Sequence, residues 1–123
     1  MIQMNDLDSD VPFLEQLKTQ EPGPVTIINT FVYAEGSKDD VIAVWKKDSD
    51  VMKAAKGFIS AQLYSAEEGA RVLTNVAVWE SAEDLLNAFL SPSFQALLPT
   101  YPDGTVSHPT LMRKVAVENI CVA

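Results

Sequence analysis

The sequence predicts an α+β fold in which one antiparallel four-stranded sheet carries two helices on one face. Segments whose apolar side chains alternate, as in strands, are separated by segments whose apolar side chains recur every three or four residues, as in helices. After an N-terminal arm, the order of these segments is β-α-β-β-α-β, which is the ferredoxin-like split βαβ arrangement. The 123 residues, 47% of them hydrophobic, are enough for one domain with one core.

Residues 1–23 are expected to form an acidic N-terminal arm, and residues 24–123 the domain itself. Four apolar residues of the arm could form one or two turns of amphipathic helix, begun near Asp10. A helix this short is unstable alone. Two alternatives therefore stay open: the arm packs through Phe13 and Leu17 on the domain or on a partner subunit, or it is a partly disordered tail.

The first half of the domain begins with a strand that carries apolar residues on both faces and one polar residue, Asn29, among them. The helix that follows opens with a capping pattern at Ser37 and is expected to run to about Lys56, where Gly57 would end it in the left-handed conformation. Asp48 lies near the apolar stripe of this helix. The stripe comprises Val41, Val44, Trp45, Val51, Met52 and Ala55.

The second half begins with two strands joined by a hairpin-length loop, and these should be antiparallel neighbours. Ser81 and Ser91-Pro92 have the spacing of helix N-caps, and they predict a helix from Ala82 to about Leu90 and a further turn from Ser93 to Leu98. A polar loop is expected from Pro99 to Pro109. The four expected strands are Val25–Tyr33, Phe58–Tyr64, Arg71–Trp79 and Thr110–Val122.

Two helices can cover only one face of this sheet, yet three of the strands carry apolar residues on both faces. A monomer rarely leaves so large an apolar surface in water. The pattern therefore predicts a homodimer in which two sheets pack face to face.

Composition excludes several classes of function. The net charge of -8 offers no basic footprint for nucleic acid, and no apolar run is long enough to span a membrane. The acidic N-terminus does not have the pattern of a signal peptide, so the expected location is the cytoplasm. One cysteine, Cys121, cannot form an internal disulfide, and a single histidine argues against a protein-only metal site.

One face of the third strand combines an amide with an indole. Asn75 and Trp79 point to the same side, with their Cα atoms about 13 Å apart at the usual rise of a strand. A flat ligand could touch both side chains. The alternation by itself is equally compatible with a buried core, where a neighbouring backbone group would satisfy the amide.

Several short segments, taken in this order and spacing, resemble the antibiotic biosynthesis monooxygenase family of the dimeric α+β barrel superfamily. The resemblance covers about residues 24 to 118. Its carriers are Val25–Asn29, Trp45, Lys56–Ser60, Asn75–Ser81, Ser91–Phe94 and His108-Pro109.

The resemblance implies a cofactor-independent monooxygenase that oxidises an aromatic phenol- or quinone-like small molecule with O2. Family members of this kind use no metal, flavin or haem, so the protein positions the substrate and favours its anion. Asn75 and Trp79 match an Asn and a Trp that line the site in such members. The expected substrate-binding residues are Asn29, Phe31, Tyr64, Leu85, Phe89 and Phe94.

The chain departs from the pattern at the residue that would handle the proton. Leu85 stands where the best-known quinone-forming members have a Tyr. His108, the only histidine, is the natural candidate base, and Tyr64 and Tyr101 are possible replacements for the missing Tyr. Asp48 would have a raised pKa if it pointed inward, but the edge of the helix stripe also allows a solvated position.

Haem-degrading relatives in the superfamily share the Asn at position 29, but their Trp and His are replaced here by Ala88 and Leu98. Without that His there is no axial ligand for haem iron. Two other functions stay open beside the monooxygenase. One is a non-catalytic module of the same fold that binds small aromatics or is associated with stress; the other is a pseudo-enzyme whose dimer is a scaffold.

Overall fold

The computed structural model describes residues 1–123 and contains one five-stranded sheet of order β1-β5-β2-β4-β3. The strands are β1 (Gln3–Met4), β2 (Val25–Val32), β3 (Phe58–Ser65), β4 (Val72–Trp79) and β5 (Val106–Met112). The helices are α1 (Phe13–Gln16), α2 (Lys38–Lys53), α3 (Ala82–Phe89) and α4 (Pro92–Gln95), followed by a 3-10 turn at Leu98–Thr100. Strands β5, β2, β4 and β3 pair antiparallel, which confirms the ferredoxin-like α+β fold.

The count of four strands was one too few, because the arm adds a strand. Gln3 and Met4 pair parallel to Val106 and Ser107. The rest of the arm also packs on its own domain: Phe13 and Leu17 are each 1% exposed. The amide of Gln16 fixes the end of α1, since its Oε1 accepts a hydrogen bond of 2.7 Å from the backbone N of Leu111.

Of the three serines that precede helices, two cap the helix and one does not. The Ser81 side chain accepts from the backbone N of Asp84, and that of Ser91 accepts from Phe94, so both cap the helices that they were predicted to cap. Ser37 does not, because its hydroxyl donates to the carbonyl of Ala34 instead. Helix α2 ends at Lys53, so Gly57, at φ +89°, lies in the turn beyond the helix rather than at its end.

The last strand lies earlier than predicted. It begins at Val106, inside the expected loop, and ends at Met112. Pro109 does not break it: Ser107 and Leu111, two residues to either side, direct backbone groups toward the arm rather than β2. A proline nitrogen facing that edge removes no bond between β5 and β2. Residues 113–123, expected to continue the strand, are almost all exposed and turn back at Asn119 with φ +65°.

The core lies between the sheet and the helices, and it has two parts. One cluster contains Phe13, Leu17, Val25, Ile27, Ala77, Trp79, Ala82, Leu85, Ala88, Phe89 and Phe94. The other contains Phe31, Tyr33, Val41, Val44, Leu73 and Tyr101. No helix of the structure is both long enough and apolar enough to cross a membrane.

The opposite face of the sheet, which we call the open face, is not covered by a helix. On β2 and β4 it carries Thr26, Ile28, Thr30, Val32, Val72, Thr74, Val76 and Val78, none of which is fully buried. Every fully buried residue of these two strands points to the helices instead.

Candidate functional site

Two asparagines meet on the helix-facing side of the sheet, at its centre. Asn29 of β2 and Asn75 of β4 are directly opposite each other in the antiparallel register. Side chains in this relation share a face and lie about 5 Å apart at their Cβ atoms. Each asparagine separates a residue of one core cluster from a residue of the other along its strand. The amide pair therefore marks the seam between the two clusters.

The amide oxygens of both asparagines are buried and have no hydrogen-bond partner in the protein. Leaving such a group unpaired destabilises a fold by about 1–3 kcal/mol. Rotation of an amide can present either its oxygen or its NH2 group, so the pair could accept from a hydroxyl or donate to an anionic oxygen. Unpaired buried amides of this kind are expected where a bound ligand completes the hydrogen bonds.

The asparagines open onto a cavity between the sheet and the helices. The cavity has a volume of about 70 Å³, which is several times what one water requires. Sixteen of its 21 lining residues are hydrophobic. From β2 to the 3-10 turn these include Ile27, Phe31, Trp45, Met52, Phe58, Ala61, Ala77, Trp79, Leu85, Phe89, Phe94 and Leu98.

Aromatic rings form much of the wall. Trp79 packs edge-on against Phe58 with ring centroids 5.5 Å apart, and Phe89 lies 5.3 Å from Phe94. Phe31 stacks on Tyr101 at 6.1 Å with an interplanar angle of 18°. Rings held in this way offer flat, rigid surfaces to another aromatic molecule.

The one carboxylate that lines the cavity, Asp48, is paired with a tyrosine. Asp48 projects from α2 and Tyr101 follows the 3-10 turn, 53 residues later. The Tyr101 hydroxyl donates a hydrogen bond to Asp48 Oδ2, and both side chains are buried, at 7% and 3% exposure. Ser49 approaches the other carboxylate oxygen at 3.5 Å. No lysine, arginine or histidine lines the cavity, so the carboxylate has no cation beside it.

Burial dominates the electrostatics of this pair. Removal from water raises the pKa of Asp48 to about 7, although the hydrogen bonds from Tyr101 and Ser49 lower it. Burial, and then the charge of Asp48, raises the pKa of Tyr101 far above its ordinary value. Near neutral pH, Asp48 can therefore both take up and release a proton, while Tyr101 stays a neutral donor.

Most of the residues singled out from the sequence lie together in this cavity. The structure places seven of them in its lining: Asn29, Phe31, Asn75, Trp79, Leu85, Phe89 and Phe94. His108 and Tyr64 are not among them. The register puts His108 opposite Thr30, Thr30 opposite Thr74, and Thr74 opposite Tyr64, so these two residues belong to one row on the open face.

The pairing of Asp48 with Tyr101 was missed, although each residue had been considered separately. A sequence signal was available for Asp48, which lies four residues after Val44 and four before Met52, both on the apolar stripe. No local pattern joins it to Tyr101. The arm is a second surprise, since Ile2, Met4 and Phe13 also line the cavity.

Comparisons with known proteins agree with the fold described above. A family model described as antibiotic biosynthesis monooxygenase matches residues 24–99. Among solved structures, a candidate monooxygenase from Shewanella loihica PV-4 is 31% identical, with a TM-score of 0.65, and the alignment covers 79% of this chain and 99% of that one. No curated protein matches the sequence with significance.

Two further structures share the fold at lower identity. SnoaB from Streptomyces nogalater, a cofactor-independent oxygenase, is 18% identical over 79% of this chain and 98% of its own, with a TM-score of 0.70. A candidate antibiotic biosynthesis monooxygenase from Bordetella bronchiseptica is 19% identical over 77% and 98%, with a TM-score of 0.63. Since the family model spans more than half of the chain and the identity to the Shewanella protein extends over its whole domain, this chain belongs to the antibiotic biosynthesis monooxygenase family.

Proposed function

We propose that the protein is a cofactor-independent monooxygenase that oxidises a small aromatic, phenol- or quinone-like compound with O2. A balanced example is the conversion of an anthrone: anthrone and O2 give anthraquinone and water. One oxygen atom enters the substrate and the other leaves as water. Membership of the family supports this reaction type, and so does the shared fold with the cofactor-independent oxygenase SnoaB.

The observation that carries the proposal is the pair of unpartnered amide oxygens at the floor of an aromatic cavity. A ligand that is flat and apolar, with one or two oxygen substituents, satisfies both features at once. Its rings would contact Trp79 and the phenylalanines, and its hydroxyl or carbonyl oxygen would hydrogen-bond to Asn29 and Asn75. A purely aliphatic ligand would leave the amides unpaired.

Such a cavity suits oxygen chemistry for a second reason. O2 is apolar, so it enters an apolar space readily, and the exclusion of water protects reactive intermediates. The amide NH2 groups can stabilise negative charge that develops on the substrate oxygen as it becomes an anion. Positioning and electrostatics are thus the contributions that this chain's own residues make.

We also propose that two copies pack through their open faces, so that the working molecule is a homodimer. Ile28 and Val76 lie opposite each other at the centre of that face, and no helix covers them. Burial of this apolar surface against a second copy would stabilise the pair.

Oxygen uptake by the purified protein with an anthrone or a hydroquinone, and no added cofactor, tests the function. We expect Asn75→Ala to lower kcat/KM by about 10- to 100-fold, because a hydrogen bond to a developing anion is worth about 1.5–3 kcal/mol. Trp79→Phe should weaken binding of the aromatic. Asn87→Ala, at an exposed position on α3, is the matched control and should leave the rate unchanged.

Unchanged rates in both Asn75→Ala and Trp79→Phe would reject this cavity as the site. Tight binding of the aromatics without oxygen uptake would instead favour a binding module of the same fold. Circular dichroism of each variant shows whether a lost rate reflects the site or a lost fold.

A further inference from the structure

One acid–base pair lines the cavity in addition to the residues proposed to position the substrate. Asp48 and Tyr101 both line the cavity, and they are hydrogen-bonded to each other. The Tyr101 hydroxyl donates a hydrogen bond to Asp48 Oδ2. The only group near Oδ1 is the Ser49 hydroxyl, at 3.5 Å. One carboxylate oxygen is therefore held in place by a donor, and the other is available to a ligand.

A structural role alone explains this arrangement poorly. Asp48 continues the apolar stripe of α2, where a leucine would fill the space without burying a charge. A buried carboxylate with no cation beside it destabilises a fold unless something compensates for its desolvation. Buried, perturbed carboxylates in a cleft occur preferentially at functional sites.

No other titratable group faces Asp48 in the cavity. Helix α2 packs against β2, β3, β4 and α4. Strands β2 and β4 and helix α4 carry no titratable residue, and Tyr64 of β3 lies on the open face. Tyr33, just beyond β2, is buried in the same cluster as Tyr101 but does not line the cavity. The charged neighbours on α2 itself, Lys46, Lys47 and Asp50, are exposed, and Lys46 pairs with Asp50 at 3.1 Å. The protonation of Asp48 therefore depends on burial and on the hydrogen bonds from Tyr101 and Ser49.

We propose that Asp48 is the catalytic base that removes the substrate's proton, and that Tyr101 is the positioning residue that holds its carboxylate. The proposal rests on the proposed monooxygenase function and supplies the proton acceptor that Leu85 cannot provide. The carboxyl group, with a pKa near 7, is poised to accept a proton and return it at neutral pH.

Every step of the anthrone reaction then balances. The Asp48 carboxylate takes a proton from the CH2 carbon, and the resulting carbanion gives an electron to O2 and combines with the superoxide so formed to give a peroxide anion. Protonated Asp48 returns its proton to that peroxide. Asp48 next removes the second C–H proton as the O–O bond breaks, which yields the quinone carbonyl and hydroxide. The hydroxide takes the proton from Asp48 and leaves as water.

The first experiment compares Asp48→Asn with Asp50→Asn, an exposed substitution two residues away on the same helix. Oxygen uptake with anthrone is measured from pH 5 to pH 9. We expect kcat of Asp48→Asn to fall by about 100-fold or more, the usual contribution of a general base, with KM changed little. The wild-type rate should rise with pH through a midpoint near 7, and Asp50→Asn should follow it.

A second variant separates catalysis from folding. Tyr101→Phe keeps the carboxylate but removes the hydrogen bond that lowers its pKa. We therefore expect the midpoint of the pH–rate profile to move to higher pH, while the rate at pH 9 stays within a few-fold of wild type. A tyrosine that only filled space would leave the midpoint unchanged.

An anaerobic exchange experiment tests the base without oxygen chemistry. The wild type should accelerate exchange of the CH2 protons of anthrone for deuterium from D2O, followed by NMR, and Asp48→Asn should lose most of this acceleration while Asp50→Asn keeps it. If the wild type binds anthrone without accelerating the exchange, the inference is overturned, whatever the oxygen-uptake result.

The two proposals fail separately. A wild type that accelerates exchange of the CH2 protons of anthrone but consumes no O2 supports the base and contradicts the monooxygenase. A wild type whose turnover is lost in Asn75→Ala but retained, with the same pH profile, in Asp48→Asn supports the monooxygenase and overturns the role of Asp48.

Discussion

At the scale of single residues, the cavity is notable for polar groups that the protein leaves incompletely satisfied. Asn29 and Asn75 have unpartnered oxygens, and Asp48 is buried without a cation. Each lowers stability, and each sits where an oxygen-bearing aromatic could make use of it. Proteins commonly accept such a loss of stability at functional sites.

The Asp48 carboxyl should make stability depend on pH. In the folded chain it keeps its proton up to about pH 7, whereas in the unfolded chain it loses it near 3.8. Between these values the folded state binds more protons, so the free energy of unfolding falls as pH rises. The interval of about 3 pH units corresponds to a change on the order of 4 kcal/mol.

Denaturant unfolding at pH 4 and pH 8 measures this effect. Asp48→Asn removes the carboxyl group that titrates between these two pH values. Asp48→Asn should therefore gain stability relative to wild type between pH 4 and pH 8, by an amount on the order of 4 kcal/mol. Asp50→Asn serves as control because its side chain is exposed. A difference between Asp48→Asn and wild type that is the same at both pH values would contradict the burial of an ionisable carboxyl.

At the scale of elements, the arm has a larger part in the site than its length suggests. The family model begins at residue 24, so the arm lies outside it. Its strand β1 follows β5 through bonds from Gln3 and Asn5 to Thr105 and Ser107, and this brings Met4 to the cavity. The arm thus forms a wall that is added to the family domain.

Truncation of a side chain in that wall should weaken ligand binding. Met4→Ala removes three heavy atoms from the cavity lining, and at about 0.8 kcal/mol per buried methylene this should weaken anthrone binding by up to about 60-fold. Leu7→Ala is the control, because Leu7 is 68% exposed and does not line the cavity. Fluorescence titration measures both affinities. Equal affinities in Met4→Ala and wild type would show that the arm does not contact the ligand.

At the scale of the whole molecule, the two faces of the sheet have separate roles. The helix-facing side carries the core and the cavity, and the open face carries an apolar surface with His108 and Tyr64 in one row across it. We therefore expect the open face to bind a second copy of the chain.

The proposed homodimer should have a mass in solution of twice 13.5 kDa. Val76→Lys would place a charge at the centre of the packed open faces, where burial is costly, and should give a monomer. Asn87→Lys, on the exposed side of α3, should leave the mass unchanged. Light scattering measures the masses, and a monomeric wild type would contradict the face-to-face dimer.

The sequence by itself determined the order of the central strands and helices, the caps at Ser81 and Ser91, and the fact that Asn75 and Trp79 share one face of their strand. These follow from periodicity and short-range hydrogen bonds, which operate over a few residues. The limits of the last strand were wrong because Val106 to Pro109 were assigned to a polar loop, although the nitrogen of Pro109 faces an edge and leaves the strand intact. With that strand misplaced, its alternation could not show that His108 points away from the cavity.

Only the tertiary structure decided which groups meet. It set Asn29 opposite Asn75, brought Tyr101 to Asp48 across 53 residues, and closed the cavity with the arm. Strand register and loop path are settled by packing of the whole chain, since no local pattern encodes the distance between residues so far apart. The pKa of Asp48 follows from that same packing, because burial is a property of the folded molecule and not of the residue.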